Sequence, residues 1–144
     1  MRTWADSSFL VSLYVDDDHA EIAKAYLSKN PYPIVLTSFA KSEAQHALRM
    51  CAFRGDISED ELVRVLLTFE RDQEEGFYEP ARVDPEALFP KTAQLSHQYA
   101  LSHGVRYLDM LHIASALLAR SRRFLTFDKR QGKLAKSIGL EIKL

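Results

Sequence analysis

Short runs of β-prone residues alternate with longer stretches of helical periodicity along nearly the whole chain, and this alternation narrows the fold more than any other feature. The runs are RTWAD at 2–6, PIVLT at 33–37, FYEPA at 77–81, RFLTF at 123–127 and LEIKL at 140–144. Strands separated by helices cannot pair as hairpins. They pair through crossovers, which specifies a parallel sheet covered on both faces. The expected fold is therefore α/β: a three-layer α/β/α sandwich with a central, mainly parallel sheet, in a single domain spanning residues 1–144.

The intervening segments carry helix signals. SSFLVSLY at 7–14 is a brief apolar helix opened by serines, and DDDHAEIAKAYLSKN at 16–30 is an amphipathic helix with a carboxylate-rich first turn. Ser38 is the expected cap of FAKSEAQHALRMCAFR, which runs to Gly55, and Ser58 with Glu61 forms a capping box for the next helix. Pro85 starts a helix that Gly104 stops, and YLDMLHIASALLAR and KRQGKLAKSIG are the last two. The third strand is weak, with Pro80 near its end.

Composition excludes several classes. At 47% hydrophobic and 27% charged, the chain is of soluble globular type, and nothing in its N-terminal residues is apolar enough for a signal peptide or membrane span, so a cytoplasmic protein is expected. The single cysteine, Cys51, rules out an internal disulfide and reads as filler on a helix. The five glycines are scattered, which argues against a dinucleotide or P-loop site. Net charge is −1, but it is unevenly spread. Residues 56–79 hold nine acids against two bases, whereas residues 120–136 hold seven bases against Asp128 alone.

Asp128 is the conspicuous residue, because a carboxylate at the end of a core strand is costly to bury. Ligands of parallel sheets bind outside the carboxyl ends of the strands, and three further acids can reach that rim. Asp6 follows the first strand, Glu43 lies just over a turn into the helix after the second, and Asp109 opens the helix before the fourth. Singly, each has a plain reading as a cap, a first-turn acid or a surface charge. Together they raise one another's pKa values unless a cation compensates. Oxygen ligands and substrate phosphate suit Mg²⁺, which lowers the pKa of water and stabilises a leaving oxygen.

The acidic blocks WADSSFL, TSFAKSEAQHAL, LDMLHIASAL and LTFDKRQGKLAKSIGLEI resemble those of the PIN-domain ribonucleases, most closely the VapC-type toxins of toxin–antitoxin pairs. The resemblance implies an α/β/α sandwich that cleaves RNA with Mg²⁺ or Mn²⁺, forms a homodimer and is inhibited by a small antitoxin. Carried over by position, it implies Asp6, Glu43 and Asp109 as core metal ligands, with Asp128 as a further acidic member acting directly or through water. Ser8 and Thr126 match hydroxyl positions that hold these acids. Arg120, Arg122, Arg123, Lys129 and Arg130 are expected to steer RNA. His112, three residues after Asp109, is expected to be packed or to support the acids, and His46 is similar. An apolar surface of Phe9, Leu10, Leu13 and Tyr14 is expected to serve self-association or an antitoxin groove.

Two other functions fit less well. A non-catalytic binding module of the same fold has no reason to keep four mutually repelling acids. A phosphatase working through an aspartyl-phosphate needs a second aspartate two residues after the first, where this chain has Ser8.

Overall fold

The computed structural model describes residues 1–144. Four strands form the sheet: β1 (Thr3–Ala5), β2 (Ile34–Leu36), β3 (Tyr78–Pro80) and β4 (Arg123–Leu125). Seven helices accompany them: α1 (Ser7–Tyr14), α2 (Ala20–Lys29), α3 (Ser38–Phe53), α4 (Glu59–Glu74), α5 (Pro85–His103), α6 (Tyr107–Leu118) and α7 (Lys129–Ser137). Every strand pair is parallel, in the order β3-β2-β1-β4, and helices flank the sheet in an α/β/α arrangement. β1 lies at the point where the order reverses, with β2 and then β3 on one side and β4 on the other. This switch point opens a crevice between the carboxyl ends of β1 and β4.

β1 and β2 are wholly buried, and every strand is only three residues long. Trp4 pairs with Phe124 and Ala5 with Leu125, and all four side chains are inaccessible to solvent. One step further, Asp6 N–H still donates to the Leu125 carbonyl, at 3.1 Å, before the chain turns into α1. Pro80 ends β3, an edge strand where a missing N–H is tolerated.

Five local expectations are corrected. Thr37, not Ser38, caps α3, its hydroxyl accepting from Ala40 N–H at 3.2 Å, because β2 ends one residue earlier than the run PIVLT suggests. Asp16, Asp17 and Asp18 precede α2 rather than forming its first turn, since Asp17 turns back to bond Ser12 and the backbone of His19. RFLTF is a strand only to Leu125, because the Thr126 side chain is drawn into bonds beneath the rim. LEIKL forms no strand, and only Glu141 bridges to Arg123. Finally, Phe9 and Leu10 are 0% and 1% exposed, so they belong to the core and not to a docking groove; Leu13 and Tyr14 pack partly buried against it. Cys51 is buried filler on α3, as expected.

Candidate active site

Asp6 leaves β1 and caps α1, so the strand–helix turn delivers its carboxylate to the crevice almost fully buried, at 4% exposure. Oδ1 accepts from Ser8 Oγ at 2.7 Å and from Phe9 N–H at 3.1 Å, while Oδ2 is 2.7 Å from Thr126 Oγ1. Burial pushes the Asp6 carboxyl above its ordinary pKa despite these donors. The hydrogen count agrees. Thr126 has one hydroxyl proton but two acceptors, Asp6 Oδ2 and Gln131 Oε1, the latter at 2.8 Å. Gln131 cannot flip, because its Nε2 donates to the Asp109 carbonyl at 3.1 Å. A protonated Asp6 completes the chain by donating to Thr126, which then donates to Gln131. An ionised Asp6 leaves the two acceptors one proton short.

Glu43, one helical turn into α3, is oriented by two donors. Ser7 Oγ bonds Oε1 at 2.7 Å, and His112 Nε2 bonds Oε2 at 2.5 Å. Burial acts to raise the Glu43 pKa, but these bonds outweigh it and hold the carboxyl below its ordinary value. The tautomer of His112 follows from its other neighbour. Trp4 Nε1–H, which can only donate, points at His112 Nδ1 at 3.2 Å, so Nδ1 carries the lone pair and Nε2 the proton. His112 thus donates from Nε2 to Glu43. Its ring ¹⁵N shifts should show Nε2 as the protonated nitrogen and Nδ1 as the acceptor; the reverse tautomer would contradict this geometry.

Asp109, in the first turn of α6, meets Arg106 at 3.5 Å. Burial and then the charge of Asp128 raise its pKa. Asp128 caps α7 through Gln131 N–H at 2.9 Å, and its own N–H donates to Thr126 Oγ1 at 3.0 Å. A cleft of about 390 Å³ holds Asp109 and Asp128 with Arg106, Lys129 and Arg130.

The four acids come from β1–α1, α3, α6 and β4–α7: Thr126 and Gln131 link Asp6 with Asp128 and the Asp109 carbonyl, while Ser7 and His112 bond Glu43. Of the five expected cations, Lys129 and Arg130 line the cleft. The other three do not join them. Arg120, Arg122 and Arg123 lie towards the amino end of β4, and Arg123 is engaged by Asn30 and Glu141. Sequence reasoning missed Gln131, which is 0% exposed. A buried glutamine amid lysines leaves no periodic signal. His46 is exposed beside Glu43.

An all-oxygen donor set suits a hard divalent cation such as Mg²⁺ or Mn²⁺. No three His, Cys, Asp or Glu side chains are gathered closely enough to enclose an ion. The arrangement fits an ion held by one or two carboxylates and by water, the usual way Mg²⁺ is held.

An all-parallel α/β/α sandwich with acidic residues following the carboxyl ends of β1 and β4 defines the class of fold, one whose ligands bind at that rim. Sequence comparison narrows this class: the profile of the PIN domain matches residues 5–137, and the chain belongs to the PIN domain family. No curated protein matches it. Among solved structures it is similar to VapBC2 from Rickettsia felis, bound to a DNA fragment from their promoter, with TM-score 0.67, 16% identity and 100% of each chain covered. It is similar to Mycobacterium tuberculosis VapC20, described as a sarcin-ricin loop cleaving toxin, with TM-score 0.66, 13% identity and 99% of each chain covered. A third likeness is to FitAcB from Neisseria gonorrhoeae, with TM-score 0.64 and 15% identity over 100% of this chain and 97% of that one. At these identities the likeness is one of fold. No helix is long and apolar enough to cross a membrane.

Proposed function

We propose that the chain is a divalent-metal-dependent endoribonuclease of the VapC type, the toxin of a toxin–antitoxin pair acting in the cytoplasm. The observation that supports this reading is that His112 bonds Glu43 and lies near enough to act on the charges of Asp6 and Asp109, while Asp128 shares a cleft with Asp109. Two of these acids, Asp6 and Asp109, are placed where ionisation is costly without a cation. When bound, Mg²⁺ or Mn²⁺ supplies a lowered water pKa and charge stabilisation at phosphorus. The chain's own residues do the rest. Ser8 and Thr126 hold Asp6, and Ser7 and His112 hold Glu43. Lys129 and Arg130 meet the phosphate chain beside Asp109 and Asp128. The solved likenesses, two of them named as VapBC2 and FitAcB, support a small antitoxin as partner, and a homodimer is proposed with it.

The capping roles of Asp6 and Asp128 favour one second reading, a non-catalytic module in which these acids only close helices. Metal distinguishes the two. Under the nuclease reading, RNA is cut with Mg²⁺ or Mn²⁺ and not with EDTA, and millimolar metal raises the melting temperature by binding the folded state alone. Cleavage indifferent to EDTA, together with no thermal shift, would favour the module.

A further inference from the structure

Beside the acidic cleft lies a larger cavity of about 770 Å³, within the range of small-ligand sites. The two share Asp128, Lys129 and Arg130, and Thr126, which bonds Asp6, also lines the cavity. A column of aromatic rings forms one wall. Phe9, in the core, stacks on Phe127 with centroids 5.8 Å apart and planes at 21°, and Phe127 stacks on His19 at 4.2 Å and 8°. His19 ends the column at the surface, exposed, with its backbone N–H fixed by Asp17 Oδ1 at 2.9 Å. One helix face also lines the cavity: Lys129, Gly132, Lys133 and Lys136 recur on α7 at three- and four-residue spacing. None of these lysines is in an ion pair.

Flat rings and unpaired ammonium groups lining one cavity are what an unpaired nucleotide needs: a surface for its base and partners for its phosphates. A duplex cannot present a base in this way, because its bases are stacked on one another. We propose that this cavity is a single-stranded RNA subsite, in which the base of a nucleotide next to the cut stacks on His19. The following phosphates run along Lys133 and Lys136. This inference rests on the ribonuclease reading and adds to it an unpaired nucleotide as the substrate element recognised.

Binding of fluorescent single-stranded RNA in EDTA tests it without cleavage. The RNA carries one abasic residue, moved along the strand. For the wild type, affinity should fall on the order of tenfold when the abasic residue occupies one particular position, since the stacked base is then missing. His19→Ala should lose the same factor on intact RNA and become indifferent to the abasic residue, whereas His19→Phe should restore the discrimination. Unchanged melting temperatures will show that the variants are folded. Lys133→Ala and Lys136→Ala should each flatten the slope of log affinity against log salt by about 0.7. If the wild type cuts RNA but neither His19→Ala nor the abasic residue changes binding, the subsite is refuted and the nuclease reading stands. If the wild type neither binds nor cuts any RNA, both fall. If the lysine variants lose binding to an acidic peptide and not to RNA, the cavity serves a protein partner and the inference is overturned.

Discussion

Asp6→Asn is expected to lower RNA cleavage by at least about a hundredfold while leaving the metal-free protein as stable as the wild type, or more so. The activity loss follows from removing one anionic oxygen donor at a site where charge stabilisation is worth several kcal/mol, each 1.36 kcal/mol being a factor of ten. The stability gain follows from the hydrogen count. Asparagine keeps an oxygen for Ser8 Oγ and Phe9 N–H and places an N–H where Asp6 Oδ2 faces Thr126. Thr126 is then free to donate to Gln131, as it is when Asp6 is protonated. The substitution also removes the cost of a buried charge. The same logic sets a pH dependence. Because the folded-state pKa of Asp6 is raised, the native protein binds more protons than the unfolded chain. Its contribution is therefore intact at low pH and declines as pH rises through the folded value. Glu43, held low, contributes in the opposite sense, so the informative quantity is the difference between wild type and Asp6→Asn, which should grow with pH and then level off. Cleavage retained within about threefold would refute the site. A large fall in melting temperature would show that the carboxylate serves the fold.

Trp4→Ala should give the largest loss of stability. Trp4 is wholly buried at the centre of β1, between β2 and β4, and its indole holds His112. Emptying such a position costs about 3–5 kcal/mol, a large share of the 5–15 kcal/mol that typically holds a domain folded. A fall in melting temperature of roughly 10 °C or more is expected by calorimetry. Trp4→Phe separates packing from hydrogen bonding. Most of the ring remains, but His112 Nδ1 is left as a buried acceptor without a donor, which costs about 1–3 kcal/mol. That variant also releases the constraint on the His112 tautomer, so Glu43 loses its fixed partner and cleavage should fall several-fold even where the protein is folded. Equal activity in folded Trp4→Phe and wild type would show that the Trp4–His112–Glu43 relay does not position the acid.

Much of this protein is readable along the chain, because its signals are local. The capping box at Ser58 and Glu61, the Pro85 start and Gly104 stop of α5, and a third strand with Pro80 at its end each depend on a few neighbouring residues, and each is found in the structure. Errors arise where neighbours offer near-equal alternatives. Thr37 and Ser38 can both cap a helix, and only the end of β2 decides between them. Phe9 and Leu10 look the same whether they face a groove or a core; their burial depends on helices and strands far away in the chain. The acids follow the same division. Strand ends nominate Asp6 and Asp128, and apolar helix faces make Glu43 and Asp109 stand out. Placing the ends of β1 and β4 side by side requires the order β3-β2-β1-β4, which is set by pairings between residues 31 to 120 positions apart. Beyond that lie the matters of single hydrogen bonds: Gln131 tying Asp109 to Thr126, Trp4 choosing the tautomer of His112, His19 closing an aromatic column. Residue types and periodicity settle which segments become strands and helices, and which carboxylates stand at their ends. Distances and the direction of each proton arise only when distant segments pack, because a hydrogen bond changes sharply over a few tenths of an ångström and no local pattern encodes that.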